Sequence, residues 1–180
     1  MQFIASYLDG VFEILPNILQ DERGCFFESY HQARFEANGI FANFVQDNQS
    51  FSHKGVLRGL HLQLPPHAQA KLVSVAQGSV LDVVVDLRKN SPTFGKYDTF
   101  HLDTQRHNRV FVPEGFAHGF LALEDCILTY KCTNFYHKAA ESGIIWNDPT
   151  LAIDWQQPAP IVSEKDQLLP TLKQYMATHL

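Results

Sequence analysis

The chain has little of what marks a membrane span, a disulfide scaffold or a nucleic-acid binder. Its three cysteines, Cys25, Cys126 and Cys132, are an odd number with no C-x-x-C pair. That fits free packing thiols in a reducing compartment and not a disulfide framework. The apolar runs, such as Val83 to Val85, fall far short of the roughly 20 residues a spanning helix needs. The N-terminus MQFIASYLDG has neither the basic region nor the long apolar segment of a secretory signal. No run of five Lys or Arg occurs, and 14 basic residues against 19 acidic ones leave a net charge of −5. A nucleic-acid or anionic-membrane partner is disfavoured, because either needs a basic footprint. G-x-S-x-G, the P-loop and G-x-G-x-x-G are also missing, which removes serine hydrolases, P-loop enzymes and Rossmann dehydrogenases by motif. The expectation is a cytoplasmic protein with no nucleic acid and no membrane as partner.

What is present is a chain of 180 residues, 45% apolar, with 14 Phe and 9 His. That content can fill one core without staples, so a single domain over 1–180 is expected. Glycine and proline punctuate short segments rich in Val, Phe, Leu and Tyr, the pattern of many short strands. KLVSVAQGSVLDVVVDLR reads as a hairpin: Lys71 to Ala76, a Gln77-Gly78 turn, and Ser79 to Leu87 returning. Further strands are predicted at Phe44 to Phe51, Gly59 to Leu64, Arg109 to Val112, His118 to Leu123 and Ile127 to Thr133. Met1 to Tyr7 alternates as an edge strand would. Helix signals are confined to Tyr30 to Asn38 and to Pro170 to His179, within a C-terminal segment 163–180. The expected fold is all-β, a jelly-roll barrel with short flanking helices and a C-terminal helix.

Four clusters carry candidate chemistry. In the predicted hairpin, Lys71, Val73 and Val75 share a face with Val80, Asp82 and Val84. An ammonium and a carboxylate then lie in an apolar wall, as a functional pair or as a rim salt bridge of little worth. LRGLHLQLPPHAQAK offers Arg58, His61, Gln63, His67, Gln69 and Lys71. Arg58 and His61 have opposite parity, so both reach one cavity only across a bulge, for which Gly59 is placed. VPEGFAHGF contains P-x-G-x-x-H, similar to a cupin motif whose histidine projects inward; here that is His118. His61, Gln63, His67 and His118 could be offered to a metal, but Gln is a poor ligand and the usual Glu is absent. LTYKCTNFY supplies Tyr130 and Tyr136. His118 and Tyr130 share a face only if their connecting loop is odd, Glu124 to Cys126.

DERGCFFES, FVQDNQS, LRGLHLQ, KLVSVAQGSVLDVVVDLRKNSPTFGKY, VPEGFAHGF, YKCTNFY, ESGIIWNDPTLAIDW and VSEKD occur in this order. Together they resemble the dTDP-4-dehydrorhamnose 3,5-epimerase family of cupin-type nucleotide-sugar epimerases. Leu62 stands where an aromatic is usual and Ala70 where Gly is common. The resemblance implies a jelly-roll homodimer with no metal and no redox cofactor, acting on a dTDP-4-keto-6-deoxyhexose at C3 and C5, or at C3 only. It implies His61 as base, Asp166 orienting it, Tyr130 as acid, and Lys71 and His118 on the sugar. It places Arg23, Glu28, Gln46, Asn48 and Arg58 on the nucleotide and its phosphates, Phe26 or a neighbouring aromatic on the thymine, and Glu141 and Lys165 at further substrate contacts. Residues 1–50 are then shared across the dimer.

These residue types suit the chemistry. Removing a proton beside a ketone needs a base on one face and an acid on the other. His is a natural base near neutral pH, and an Asp behind it fixes its tautomer. A lysine at the developing oxyanion contributes about 3 or 4 kcal/mol. Asp82 beside Lys71 would keep it charged, and the arginines fit a diphosphate by forked hydrogen bonds.

Overall fold

Alternation along two consecutive strands decides the architecture. The computed structural model describes residues 1–179. In chain order it runs β1 (Gln2–Ala5), β2 (Phe12–Leu15), β3 (Leu19–Asp21), β4 (Gly24–Phe26), α1 (Gln32–Ala37), β5 (Gln46–Ser52), β6 (Val56–Gln63), β7 (Lys71–Gln77) and β8 (Ser79–Asp86). It continues with β9 (Tyr97–Asp103), β10 (Arg109–Val112), β11 (Phe116–Ala122), β12 (Cys126–Cys132), β13 (Glu141–Gly143), β14 (Ile161–Val162), α2 (Glu164–Gln167) and α3 (Leu172–His179). Val73 and Val75 of β7 share one core with Val80 and Val84 of β8. Yet β7 pairs with β10 and β12, whereas β8 pairs with β9 and β11. The two strands therefore belong to facing sheets.

This corrects the expected hairpin and the expected barrel. One sheet has the order β1-β2-β10-β7-β12-β5, the other β13-β6-β11-β8-β9, and β3 and β4 form a separate ribbon. Neither large sheet closes on itself. The first ends at β1 and β5; the second ends at β9 and at the outer edge of β6, which β13 and β14 share. The fold is mostly β, two open sheets face to face with short helices. Gly78 makes the crossing from one sheet to the other. Its φ is +74°, and a Cβ there would meet the Asp125 carbonyl oxygen at 2.4 Å. The other crossover, between β11 and β12, packs directly against it.

Apolar surface is buried on three levels. Val110, Phe116, Phe120 and Leu128 fill the space between the sheets. Leu81, Val83 and Val85, on the other side of β8, pack under Trp155, Leu172 and Tyr175 of the C-terminal segment. Phe35 of α1 covers Ile14, Leu72 and Phe111 on the outer side of the first sheet. Asp148 pins the C-terminal segment, accepting from the backbone N–H of Leu172 at 2.7 Å and of Thr150 at 2.8 Å. That anchoring brings α2 to the edge of β6.

β6 carries the bulge that the parity of Arg58 and His61 demanded. Across β11, His118 faces His61 but Phe120 faces Arg58, so β6 holds one extra residue. Gly59 sits there with φ +135°, and a Cβ would lie 2.5 Å from Gly119 Cα. Neither the angle nor the space admits an L side chain. Gly59→Ala is expected to cost about 2 to 4 kcal/mol, read as a lowered urea midpoint with an unchanged denaturant slope.

Candidate active site

At one end the space between the sheets opens into a cavity of about 540 Å³. Arg58 and His61 line it from β6, His118 from β11, Lys71 from β7, Tyr130 from β12, and Asp166 from α2. An adjoining recess of about 300 Å³ is lined by Gln46, Asn48, Gln69, Tyr136 and Glu141. His61, Lys71 and Tyr130 border both spaces. They stand at the junction, with His61 on one sheet and Lys71 and Tyr130 on the sheet that faces it.

His61 is held from behind. Its Nε2 lies 2.8 Å from Asp166 Oδ1, while Asp166 Oδ2 accepts the Gly59 N–H at 3.1 Å. The proton belongs on Nε2 in this arrangement, leaving Nδ1 as the lone pair available to a substrate. Burial would raise the Asp166 carboxyl, but the His61 ring and the Gly59 N–H outweigh it and hold the group below its ordinary range. Ser163 caps the short α2 by accepting from the Asp166 N–H at 3.2 Å. Sequence reasoning missed Ser163. The signal was present in S-E-K-D, a hydroxyl three residues before an acid at a helix start.

A second imidazole–carboxylate pair lies alongside. His118 and His61 are direct cross-strand partners. His118 Nε2 is 2.7 Å from Asp82 Oδ2, and Asp82 is fully buried. Burial pushes the Asp82 carboxyl up, against the pull of His118 and Lys71. Burial likewise pulls the Lys71 ammonium down, opposed by Cys132, Asp82 and Glu141. Lys71 and Asp82 thus act on each other across the gap between sheets, not diagonally on one sheet. The rim salt bridge left open from sequence is not what forms. Cys132, read from sequence as packing, is the strand partner of Lys71 and accepts from Asn48 Nδ2 at 3.6 Å.

Tyr130 is half-buried, and burial raises its phenol, helped by Cys132 and Glu141 and opposed by Arg58. The group is a proton donor at neutral pH. Loop parity between His118 and Tyr130 proves irrelevant, because β11 and β12 belong to different sheets and meet across the cavity. Arg58 donates to Ser52 Oγ and to the Phe51 carbonyl and, among the described residues, has no carboxylate within ion-pair distance. Its guanidinium is available to an anion.

The remaining expected residues separate into groups. Gln46 and Asn48 line the smaller recess and bond to each other at 2.9 Å. Tyr136 and Lys165 both donate to Glu141 at the rim. Arg23, Phe26 and Glu28 lie outside both spaces. Arg23 pairs with Asp21, Phe26 is 67% exposed, and Glu28 pairs with Arg34. The substituted positions Leu62 and Ala70 point into apolar packing.

The ligands offered to a metal from sequence are otherwise engaged. Gln63 Nε2 donates to the His67 carbonyl at 2.7 Å, and its Oε1 accepts the His137 N–H at 2.6 Å. The His67 ring stacks on His137 with centroids 3.8 Å apart. Among the described residues no three His, Cys, Asp or Glu side chains converge as a metal-holding group. No helix among them is long and apolar enough to cross a membrane.

Asp166 gives a pH-dependent expectation. Its folded carboxyl is held below its unfolded value. Its contribution to stability is therefore complete above the unfolded value and lost as pH falls through the folded one. Asp166→Asn should be less stable than the parent at neutral pH, by about 1 to 3 kcal/mol. Urea titrations should show that gap closing on acidification.

The sequence and the fold both have known relatives. A family model described as dTDP-4-dehydrorhamnose 3,5-epimerase matches residues 5–174. A protein of that name from Methanothermobacter thermautotrophicus is 50% identical over 170 residues, covering 92% of this chain and 91% of the relative. The crystal structure of the Elizabethkingia anophelis dTDP-4-dehydrorhamnose 3,5-epimerase superposes with a TM-score of 0.93 at 48% identity, covering 97% of each chain. A 3'-monoepimerase from Streptomyces bikiniensis, solved with dTDP-quinovose, gives 0.89 at 34% identity, covering 96% of this chain and 89% of that one. With a family model spanning nearly its whole length, this chain belongs to the dTDP-4-dehydrorhamnose 3,5-epimerase family.

Proposed function

We propose that the cavity epimerises a dTDP-4-keto-6-deoxyhexose at C3 and C5 without a cofactor. The observation that carries the reading is the placement of His61 and Tyr130 on facing sheets around one cavity, with Lys71 beside them. His61 Nδ1 takes the proton from C3, and the C–H electron pair moves into the ring as O4 becomes an enolate oxygen. The Lys71 ammonium, with His118 next to it, neutralises that oxygen as it forms. The Tyr130 phenol delivers a proton to the opposite face of C3, and the pair returns from O4 to make the new C–H bond. Solvent resets the phenolate and the imidazolium. The same cycle at C5 completes the inversion. Arg58 holds the diphosphate.

The homodimer belongs to the same reading. Residues 1–179 form one folding unit, in which β1, β2 and α1 belong to their own sheet and core while the β3–β4 ribbon reaches toward a second copy. Arg23, Phe26 and Glu28 lie on or beside an exposed ribbon, away from their own cavity. Each ribbon then completes the nucleotide site of its neighbour. Three unpaired thiols support work in the cytoplasm.

In deuterated water the parent protein should place deuterium at C3 and C5 of dTDP-4-keto-6-deoxyglucose, and His61→Ala should abolish both. Label at C3 alone would mark a C3 epimerase. Tyr130→Phe should lower inversion by about 10²- to 10⁴-fold while C3 label still enters with retained configuration, because the His61 imidazolium trades the proton it took for a solvent deuteron and returns that deuteron to the same face. The shared-ribbon arrangement makes a separate forecast. Refolding inactive Phe26→Ala/Arg23→Ala chains together with inactive His61→Ala chains should regenerate activity, since each mixed pair contains one intact site. A mixture that stays inactive rejects the exchange of ribbons.

A further inference from the structure

Tyr136 borders the smaller recess with little packed around it. It is 55% exposed, and the tip of its side chain donates to Glu141 Oε2 at 3.0 Å. An exposed hydrogen bond competes with water and fixes a ring weakly. The root of the side chain is held more firmly. Gln63, the last residue of β6, is buried. Its Nε2 donates to the Phe135 carbonyl at 3.2 Å and to the His67 carbonyl at 2.7 Å, and its Oε1 accepts the His137 N–H at 2.6 Å. Two carbonyls at one end and an N–H at the other admit a single orientation of the amide.

The Phe135 carbonyl belongs to the peptide plane before the Tyr136 Cα, and the His137 N–H to the plane after it. Planar peptides leave only two soft dihedrals at each residue. At Tyr136 the plane on either side is gripped by the same amide. Gln46 Oε1 adds a third hold by accepting the Tyr136 N–H at 2.9 Å. The direction in which the Tyr136 side chain leaves the backbone is thus set from β6, two residues beyond His61. A separate tie joins the same two loops without touching these planes: Thr133 Oγ1 accepts the Ala70 N–H at 2.9 Å.

We propose that Gln63 is a positioning residue, which fixes the peptide planes on both sides of Tyr136 and so sets that ring as one wall of the substrate recess. The proposal rests on the nucleotide-sugar reading of the cavity. Gln63 borders the recess itself, but both of its N–H groups and its oxygen are committed to backbone. It therefore acts on the substrate through Tyr136 and not by its own contact. The strand that carries His61 also aims Tyr136, so the recess keeps one shape relative to the imidazole.

The test is a double-mutant cycle on dTDP binding, read by calorimetry. Gln63→Met keeps the length and neutrality of the side chain and removes all three hydrogen bonds. It should weaken dTDP binding about three- to tenfold in the parent, and less than about twofold in Tyr136→Ala, where the ring it aims is gone. Thr133→Val cuts the separate tie and should leave dTDP affinity within about twofold. Equal weakening by Gln63→Met in both backgrounds overturns the proposal, because it marks direct contact or general loosening. So does an unweakened Gln63→Met, or a Thr133→Val that matches it. Should Gln63→Met not fold, Gln63→Glu, which keeps the acceptor and loses both donors, goes through the same cycle; a direct effect of its charge on the ligand appears in both backgrounds and cancels. A fluorotyrosine in place of Tyr136 reads the grip without ligand. Its fluorine NMR line should move toward that of free fluorotyrosine when Gln63→Met is introduced, and a line that stays in place rejects the role. A parent protein that does not bind dTDP would instead fail the nucleotide-sugar reading, while the fluorine line still decides whether Gln63 aims Tyr136.

Discussion

One carboxylate holds the site together. Asp166 takes the imidazole of His61 on one oxygen and the N–H of Gly59 on the other. The second contact exists because β6 bulges there. Along the outer edge of β6, β14 satisfies Val56 and Leu57, Ile144 exchanges backbone hydrogen bonds with Leu60, and β13 satisfies the stretch from His61 to Gln63. The bulge leaves the Gly59 N–H facing none of them. A side-chain carboxylate stands where a strand carbonyl would, and a buried N–H so placed is costly to leave unmade. Position of the His61 imidazole and integrity of the edge strand are thus one constraint. Ser163 secures the other end by capping the single turn that carries Asp166.

The open sandwich supplies what a hairpin could not. Facing sheets pack about 10 Å apart, room for one sugar ring between side chains that reach inward from each. In the proposed reaction His61 on β6 and Tyr130 on β12 then address opposite faces of whatever lies between them. Neighbouring strands of one sheet would have put both groups on the same side. Strand crossover at Gly78 and after β11 therefore matters to the reaction as well as to the fold.

Much of this was legible in the sequence, and the failures share one cause. Strand alternation turned Lys71 and Asp82 toward the same interior, though they stand on two facing sheets and not in the one wall expected, and the parity conflict between Arg58 and His61 demanded a bulge where Gly59 provides it. Arg109–Val112 is a strand at the bounds read from sequence, and the helix at Tyr30 to Asn38 is present but shorter, as Gln32–Ala37. Alternation does not encode which strand lies next door. Gln77-Gly78 satisfies a tight turn within a sheet as well as a crossing between sheets, so the hairpin reading was locally sound and globally wrong. The barrel failed for the same reason, since closure depends on edge pairing that no local pattern reports. The three-residue strands β3, β4 and β13 have too few residues to show any period. β9, Tyr97–Asp103, follows a turn-rich stretch and was not read as a strand. Function was legible through long motifs in order, which carry positions that periodicity alone cannot.

The buried charges explain why the deep part of the cavity is built as it is. Lys71 and Asp82 are both driven toward neutrality by burial, each by loss of water. Among the described residues one Asp82 oxygen has no hydrogen-bond partner. Such a pair is a poor device for stability, because desolvation offsets most of the attraction between its members. In the proposed reaction its value lies in what it does when a negative oxygen forms nearby. An ammonium weakened by burial regains its advantage beside an enolate, so the interaction is stronger in the transition state than in the resting complex. That difference, and not tight binding of the ketone, is what lowers a barrier. Asp82 holds the neighbouring His118 in place by the same contact, so one buried carboxylate supports two groups positioned to face the oxygen.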